Sequence, residues 1–278
     1  LFQEHDVRAD PYLEISGKLD GEVIRFEGSG WTGTVSKDGM SGKSGPGHGS
    51  AEGVRFQLKR VIRSSPTLGA KPPANAVVLF DGRNFDAWEH ADHRPVTWHL
   101  LDQDRMEVRS FLWPENSKNK LGGDIQTKEK FGDCKIHLEF RYPVEPGKSG
   151  QSRGNSGFFF QQDYEVQILN SYGLQGWWNE CGALYKTSPP KVNAARPPME
   201  WQTYDIEYKA STWKGNELVS LPRIEARLNG VTVHHDQEIA HVTAHAFAAR
   251  SIQPKGDGSI RLQDHGNAIQ FRNIWLIR

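Results

Sequence analysis

With 278 residues, the chain is long enough for one large domain, or for a domain with a small appendage. Lys+Arg and Asp+Glu each number 34, so the formal net charge is zero and no basic excess marks a nucleic-acid surface. The longest apolar runs, such as 76–80, are far too short to span a bilayer, while 28 Gly, 15 Pro and 9 Trp suit a turn-rich β protein with aromatic-lined surfaces.

The chain opens Leu-Phe-Gln-Glu-His with no apolar signal region and reads as a processed or trimmed product. Residues 1–63 read as a small β module, incomplete at its start. Asp20-Gly21 and Asp38-Gly39 are hairpin turns between alternating segments, residues 41–50 are a Gly/Ser/Pro/Lys/His loop, and 54–62 is a further strand. The Pro-punctuated stretch 64–76 reads as a linker, and a second domain is expected over 77–278. Strand signals recur there at 77–80, 98–101, 135–142, 158–161, 164–169, 202–209, 224–228, 231–234, 259–262 and 269–277, with Asn229-Gly230 as a type I′ turn. Only 239–249 offers a short helix. Many short strands and few helices predict an all-β sandwich or jelly roll.

Four stretches carry chemistry. In Lys135-Ile-His-Leu-Glu-Phe-Arg-Tyr142, alternation puts Ile136, Leu138, Phe140 and Tyr142 on one face and His137, Glu139 and Arg141 on the other. The polar face suits a solvated outer sheet or, alternatively, a ligand-lined one. The loop 147–157 ends at a strand and offers Arg153 and Asn155, without the spacing of a phosphate loop. Tyr164-Glu-Val-Gln-Ile168 presents Glu165 and Gln167 together, opposite an apolar face. Asp264-His265 lies between two strands and exposes an imidazole that the aspartate could hold in one tautomer. His241 and His245 would share a helical face but lack a third ligand, so no metal site is assigned. No cofactor is expected, although scattered carbonyls of a jelly roll leave room for a structural calcium. Cys134 and Cys181 show no disulfide framework.

Several short motifs occur in a fixed order: Leu79-Phe-Asp-Gly-Arg-Asn-Phe-Asp-Ala-Trp88, Gly123-Asp-Ile-Gln-Thr127, His137-Leu-Glu-Phe-Arg141, Gly154-Asn-Ser-Gly-Phe158, Tyr164 to Gly173, Cys181-Gly-Ala-Leu-Tyr185, Arg196 to Ile206, Leu262-Gln-Asp-His-Gly266 and Phe271-Arg-Asn-Ile-Trp275. Together they resemble the 3-keto-disaccharide hydrolase domain family over about residues 77–278. The resemblance implies a concanavalin-A-like jelly-roll β-sandwich and cleavage of glycosides oxidised at C3. It also implies a carbohydrate or glycoside substrate, and a periplasmic or extracellular bacterial setting. The positions carried over are Glu165, Gln167, Glu139, Arg141, Asn155 and His265.

A ketone at C3 acidifies the C2 hydrogen, so one carboxylate can start bond cleavage where an ordinary glycosidase needs two. On that chemistry Glu165 is the expected base, Arg141 and Gln167 bind the 3-oxygen, and His265 is the acid for the leaving oxygen. Glu139 orients Arg141 or exchanges roles with Glu165. Asn155, Arg153 and Lys186 hold hydroxyls, while Tyr172, Trp177 and Trp178 stack on a ring or serve only in packing. Two alternatives stay open: a non-catalytic lectin-like module, and a conventional hydrolase pairing Glu139 with Glu165.

Overall fold

The computed structural model describes residues 15–46, 53–61, 64–102, 104–243, 251–253 and 256–278. The chain divides into two units, 9–64 and Ser65–Arg278.

The first unit is an antiparallel meander of β1 (Gly17–Asp20), β2 (Val23–Gly28), β3 (Trp31–Ser36), β4 (Gly39–Lys43) and β5 (Arg55–Lys59). Gly21 turns the first hairpin with φ of 62°, a left-handed conformation that suits glycine. The register aligns Leu19, Ile24, Val35, Met40 and Leu58 in one row, with Phe26 and Phe56 on the same face. A Cβ on Gly33 would come within 2.6 Å of the Phe26 ring, so glycine there lets the aromatic lie flat across the sheet.

The second unit contains β6 (Val77–Phe80), β7 (Trp88–His90), β8 (His99–Leu101), β9 (Arg105–Glu107), helix α1 (Pro114–Lys118), β10 (Ile125–Thr127), β11 (Cys134–Arg141), β12 (Ser156–Phe160) and β13 (Tyr164–Ile168). It continues with β14 (Gln202–Lys209), β15 (Thr212–Lys214), β16 (Glu217–Ser220), β17 (Arg223–Leu228), β18 (Val231–Glu238), β19 (Arg261–Leu262) and β20 (Gln270–Ile277). Five strands form one sheet in the order β13-β12-β19-β10-β7. Eight form the other, β18-β17-β14-β11-β20-β9-β8, with β6 also paired to β20. This is the expected all-β sandwich.

Alternation explains the packing. Ile136, Leu138 and Phe140 of the large sheet meet Phe158, Phe160, Tyr164 and Val166 of the small one in a single core. Phe160 stacks on Tyr208 with ring centres 4.4 Å apart, and the Tyr204 hydroxyl donates to the Gln167 carbonyl at 2.6 Å, so the sheets are joined by both apolar and polar contacts. Asn229 and Gly230 both have positive φ, as the type I′ turn requires.

Residues 65–76 differ from the linker expected of them. They form a strap packed on the outer face of the large sheet. Ser65 Oγ lies 2.6 Å from Thr203 Oγ1, Thr67 Oγ1 donates to Asp205 at 2.6 Å, and the Gly69 amide donates to Glu139 at 2.5 Å. A Cβ on Gly230 would lie 2.4 Å from Pro66, so only glycine admits the strap at that turn. Prolines stiffen this segment, and its backbone and hydroxyl groups find partners on strand residues 70 or more positions away. The strands 88–90, 105–107 and 125–127 also lie outside the sequence reading, because three residues give no measurable alternation.

Cys134 and Cys181 are free and buried. Burial raises the first thiol to about 12 and the second to about 11, which makes both poor nucleophiles near neutral pH. Residues 239–243 are not helical, and the rest of the expected helix, including His245, lies outside the described residues. Among the described residues no group of His, Cys, Asp and Glu is arranged to hold a metal ion, and no helix is long and apolar enough to cross a membrane.

Candidate active site

The outer face of the five-stranded sheet carries two polar rows. Register places Glu165 beside Phe159, Phe159 beside Arg261, Arg261 beside Gln126 and Gln126 beside Glu89. The next row holds Gln167 and Gly157, then Gln263, whose amide bonds the Gly157 carbonyl. These positions follow from alternation, since Tyr164, Val166 and Ile168 are drawn into the core.

Glu165 is 4% exposed. Among the described residues nothing hydrogen-bonds its carboxylate. Burial raises its carboxyl to about 8. Asp124 adds to the rise, while the positive charges of Arg261 and Lys186 oppose it. A Cβ on Gly157 would lie 2.5 Å from Glu165 Oε1, so the missing side chain is what lets the carboxylate lie over the neighbouring strand. Residues 182–185 run antiparallel beside β13: Gln167 and Ala183 pair through their backbones, and the Tyr185 amide donates to the Glu165 carbonyl. That edge brings up Tyr185, whose hydroxyl titrates upward through burial and the Glu165 charge, and Lys186, whose Nζ lies 5.4 Å from the Tyr185 ring centre.

The amides around Glu165 are partly unsatisfied. Gln167 Nε2 donates to Gln151 Oε1 at 3.2 Å, and Asn155 Nδ2 donates to the Gln151 carbonyl at 2.8 Å. Yet among the described residues Gln167 Oε1, Asn155 Oδ1 and Gln263 Oε1 are all buried without a donor, and the buried Nε of Arg261 lacks an acceptor. Buried polar atoms normally have partners, so these oxygens stand out as open acceptors on this face among the described residues. Gln151 also lines a depression of about 460 Å³ with Lys148, Ser152, His265, Gly266 and Asn267, which brings His265 to the same side of the molecule. A second hollow, of about 530 Å³ on the first unit, among Thr32, Lys43, Arg55 and Gln57, has no carboxylate or imidazole in its lining and carries no comparable chemistry.

Two expected members of the site lie elsewhere. Glu139 and Arg141 project from the outer face of the other sheet, across the core from Glu165. They neither flank a bond with Glu165 nor reach an oxygen beside it, which also removes the Glu139–Glu165 pair of a conventional hydrolase. Glu139 is 0% exposed, sealed by the strap rather than solvated. Burial favours its neutral form, but bonds from His137, Asn273, the Gly69 amide and Arg272 together outweigh that and hold it near 2. His137 sits between Asp205 (2.7 Å) and Glu139 (3.5 Å), with its ring stacked on Trp275.

Asp264 does not orient His265. Its carboxylate accepts the backbone amides of Phe111, Gly123 and Gly266 and so fixes the turn that presents the imidazole. Arg153 turns its guanidinium back onto the Asn170 carbonyl at 2.9 Å. Tyr172, Trp177 and Trp178 are substantially exposed on the 171–180 segment, and Trp178 meets Tyr185 edge to face. The reading from sequence missed Arg261, Gln263, Gln151 and Tyr185. The first two alternate in phase in the run Arg261-Leu-Gln263, a signal masked by the adjacent Asp-His pair.

One sheet face of this β-sandwich thus carries a buried, basic carboxylate beside amide oxygens that lack donors among the described residues. Residues 75–277 match the 3-keto-alpha-glucoside-1,2-lyase-like domain, and the chain belongs to that family. Its motifs had pointed to this family. A solved candidate glycosyl hydrolase from Parabacteroides distasonis is 35% identical, with a TM-score of 0.68, over 80% of this chain and 92% of that one. A second candidate glycosyl hydrolase from the same organism, 20% identical with a TM-score of 0.53 over 73% of this chain and 93% of that one, shares the fold. No curated protein matches the chain. Family and relative together make this a carbohydrate-active protein of the glycosyl hydrolase or lyase kind.

Proposed function

We propose that the chain cleaves the glycosidic bond of sugars carrying a ketone at C3, with Glu165 as the base. The observation that carries this reading is Glu165 itself. Its carboxyl is buried, has no hydrogen-bond partner among the described residues, and is raised to about 8 beside two cations. Such a carboxylate is basic enough to take a weakly acidic carbon-bound proton, which an ordinary surface carboxylate is not.

The Glu165 carboxylate removes the C2 proton, and the C2–H electrons pass to the C3 oxygen as an enolate. When that carbonyl re-forms, a C1–C2 double bond forms and the C1–O bond breaks. The leaving oxygen takes a proton, for which His265 at the edge of the adjoining depression is the proposed source. Water then adds across the C1–C2 double bond: its oxygen bonds C1, its released proton restores His265, and C2 takes a proton back from Glu165, which completes a net hydrolysis. With Arg141 on the far sheet, Lys186 and Arg261 take over stabilisation of the enolate oxygen, since theirs are the positive charges that reach Glu165. Gln167, Asn155 and Gln263 accept sugar hydroxyls through their unpartnered oxygens, and Trp178 and Tyr185 offer a ring face. Action outside the cytoplasm of a bacterium belongs to the same proposal.

Asp124 is the other carboxylate whose charge reaches Glu165, and it would serve a two-carboxylate hydrolase. It is already bound to Arg261 at 2.9 Å and to the Asp264 amide at 2.8 Å, which favours the single-base reading. Glu165→Gln is expected to lower turnover of a 3-keto-glucoside by about 10²–10⁴-fold while the substrate still binds. Near-normal turnover in that variant would remove Glu165 from the base role. Cleavage of the unoxidised disaccharide at a similar rate would favour the two-carboxylate alternative.

A further inference from the structure

The outer face of the eight-stranded sheet carries a second cluster that the chemistry at Glu165 does not use. Phe140 pairs with Gln202, so Trp201 falls beside Arg141. Arg141 in turn pairs with Gln270, and Gln270 with Glu107. Arg272 lies in the adjacent row, between Glu139 and Arg105. Both guanidiniums rest on one indole, with Arg272 Cζ 4.1 Å and Arg141 Cζ 4.7 Å from the Trp201 ring centre.

Each is held by its Nε. Arg141 Nε donates to Gln270 Oε1 at 2.6 Å, and Gln270 Nε2 donates on to Glu107 at 2.6 Å. Arg272 Nε donates to Glu139 at 2.7 Å. The terminal amino groups of both arginines have no partner among the described residues. Arg105 beside them pairs its terminal groups with Asp102 and Asp104, and its buried Nε has no acceptor.

Arg272 has Glu139 as a direct partner, and Arg105 has Asp102 and Asp104, whereas Arg141 is bonded to an amide and reaches the Glu107 carboxylate only through Gln270. Burial and the charges of Arg105 and Arg272 pull Arg141 below its ordinary range, against the weaker opposing pull of Asp104 and Glu107. A fixed, planar fork with no carboxylate bonded to it directly and its terminal amino groups open matches an oxyanion.

We propose that Arg141 and Arg272, braced against Trp201, bind an oxyanion carried on a sugar: the carboxylate of a uronic acid or a sulfate ester. The sugar part rests on the carbohydrate-active class of the chain, and not on the reaction proposed at Glu165. The site lies on the opposite sheet from Glu165, so it would hold a charged part of a glycan away from the bond being cleaved.

The test is calorimetric titration of the full chain with trigalacturonate, a sulfated trisaccharide, methyl-esterified trigalacturonate, sodium acetate and sodium sulfate. One of the acidic trisaccharides is expected to bind, more weakly as salt rises, and more tightly than the ester or the free anions. Arg141→Gln should weaken it by about tenfold or more, the loss of a charge-assisted hydrogen bond. Arg141→Lys, which keeps the charge and loses the fork, should weaken it as well. Glu165→Gln should leave it unchanged, which separates this site from the catalytic proposal. Failure of both acidic sugars to bind, or binding that survives both Arg141 substitutions, would overturn the site. Free acetate or sulfate binding as tightly as the sugars would overturn its assignment to a glycan.

Discussion

Glu165 owes its basicity to burial, with the Asp124 charge adding to the rise, in a slot that the glycine at 157 leaves open for it. Two consequences follow at this residue. A base that ionises near 8 must lose its proton to work, so kcat/KM for a 3-keto-glucoside should climb with pH and level off above about 8. The same shift weakens the fold. The folded-state value lies above the ordinary 4.5, so the stability linked to neutral Glu165 is fully present below 4.5 and is lost as pH rises through 8. Glu165→Gln removes that loss. Thermal denaturation should show the variant gaining stability over the wild type at about pH 9, by a few kcal/mol at most, and little at about pH 5. An equal difference at both pH values would mean that Glu165 ionises as an ordinary carboxylate.

Strands β11 and β13 show what alternation reveals and what it leaves open. Each reads as one apolar and one polar face, and each keeps that division in the fold, with Ile136, Leu138 and Phe140 facing Tyr164, Val166 and Ile168 across one core. But the polar faces of two strands in different sheets of a sandwich point in opposite directions. Period-two patterning carries no information about sheet membership, so Glu139 and Arg141 read as neighbours of Glu165 when they stand back to back with it. On β11 the carboxylate is structural: it ties the strap at Gly69 to Arg272 and Asn273. Its value near 2 lies below 4.5, so its contribution is present above pH 4.5 and is lost as pH falls through 2. Glu139→Gln strands a partly buried Arg272 and should destabilise the protein by about 3 kcal/mol in denaturant titration, with kcat unchanged. A fully stable variant with lost turnover would return Glu139 to the chemistry.

For the molecule as a whole, the strand runs at 77–80 and 202–209 and the Asn-Gly turn at 229–230 were legible because each combines local propensity with a clear period. The strap was not legible, since its partners at Thr203, Asp205 and Glu139 are distant in sequence and its prolines suit an extended tether as well as a packed segment. The site was half legible. Glu165, Gln167, Asn155 and His265 reach one side of the sandwich, while Arg261 and Gln263 join them only through the pairing of β19 with β12. That pairing and the 182–185 edge together gather Arg261, Lys186, amide oxygens without donors among the described residues and one basic carboxylate on a single sheet face, which is the ground for proposing proton abstraction there. The most direct measurement is proton NMR of the sugar released from a 3-keto-glucoside in deuterated water. Deuterium at C2 is the predicted result; a product that keeps its original hydrogen at C2, released at full rate, would contradict the account.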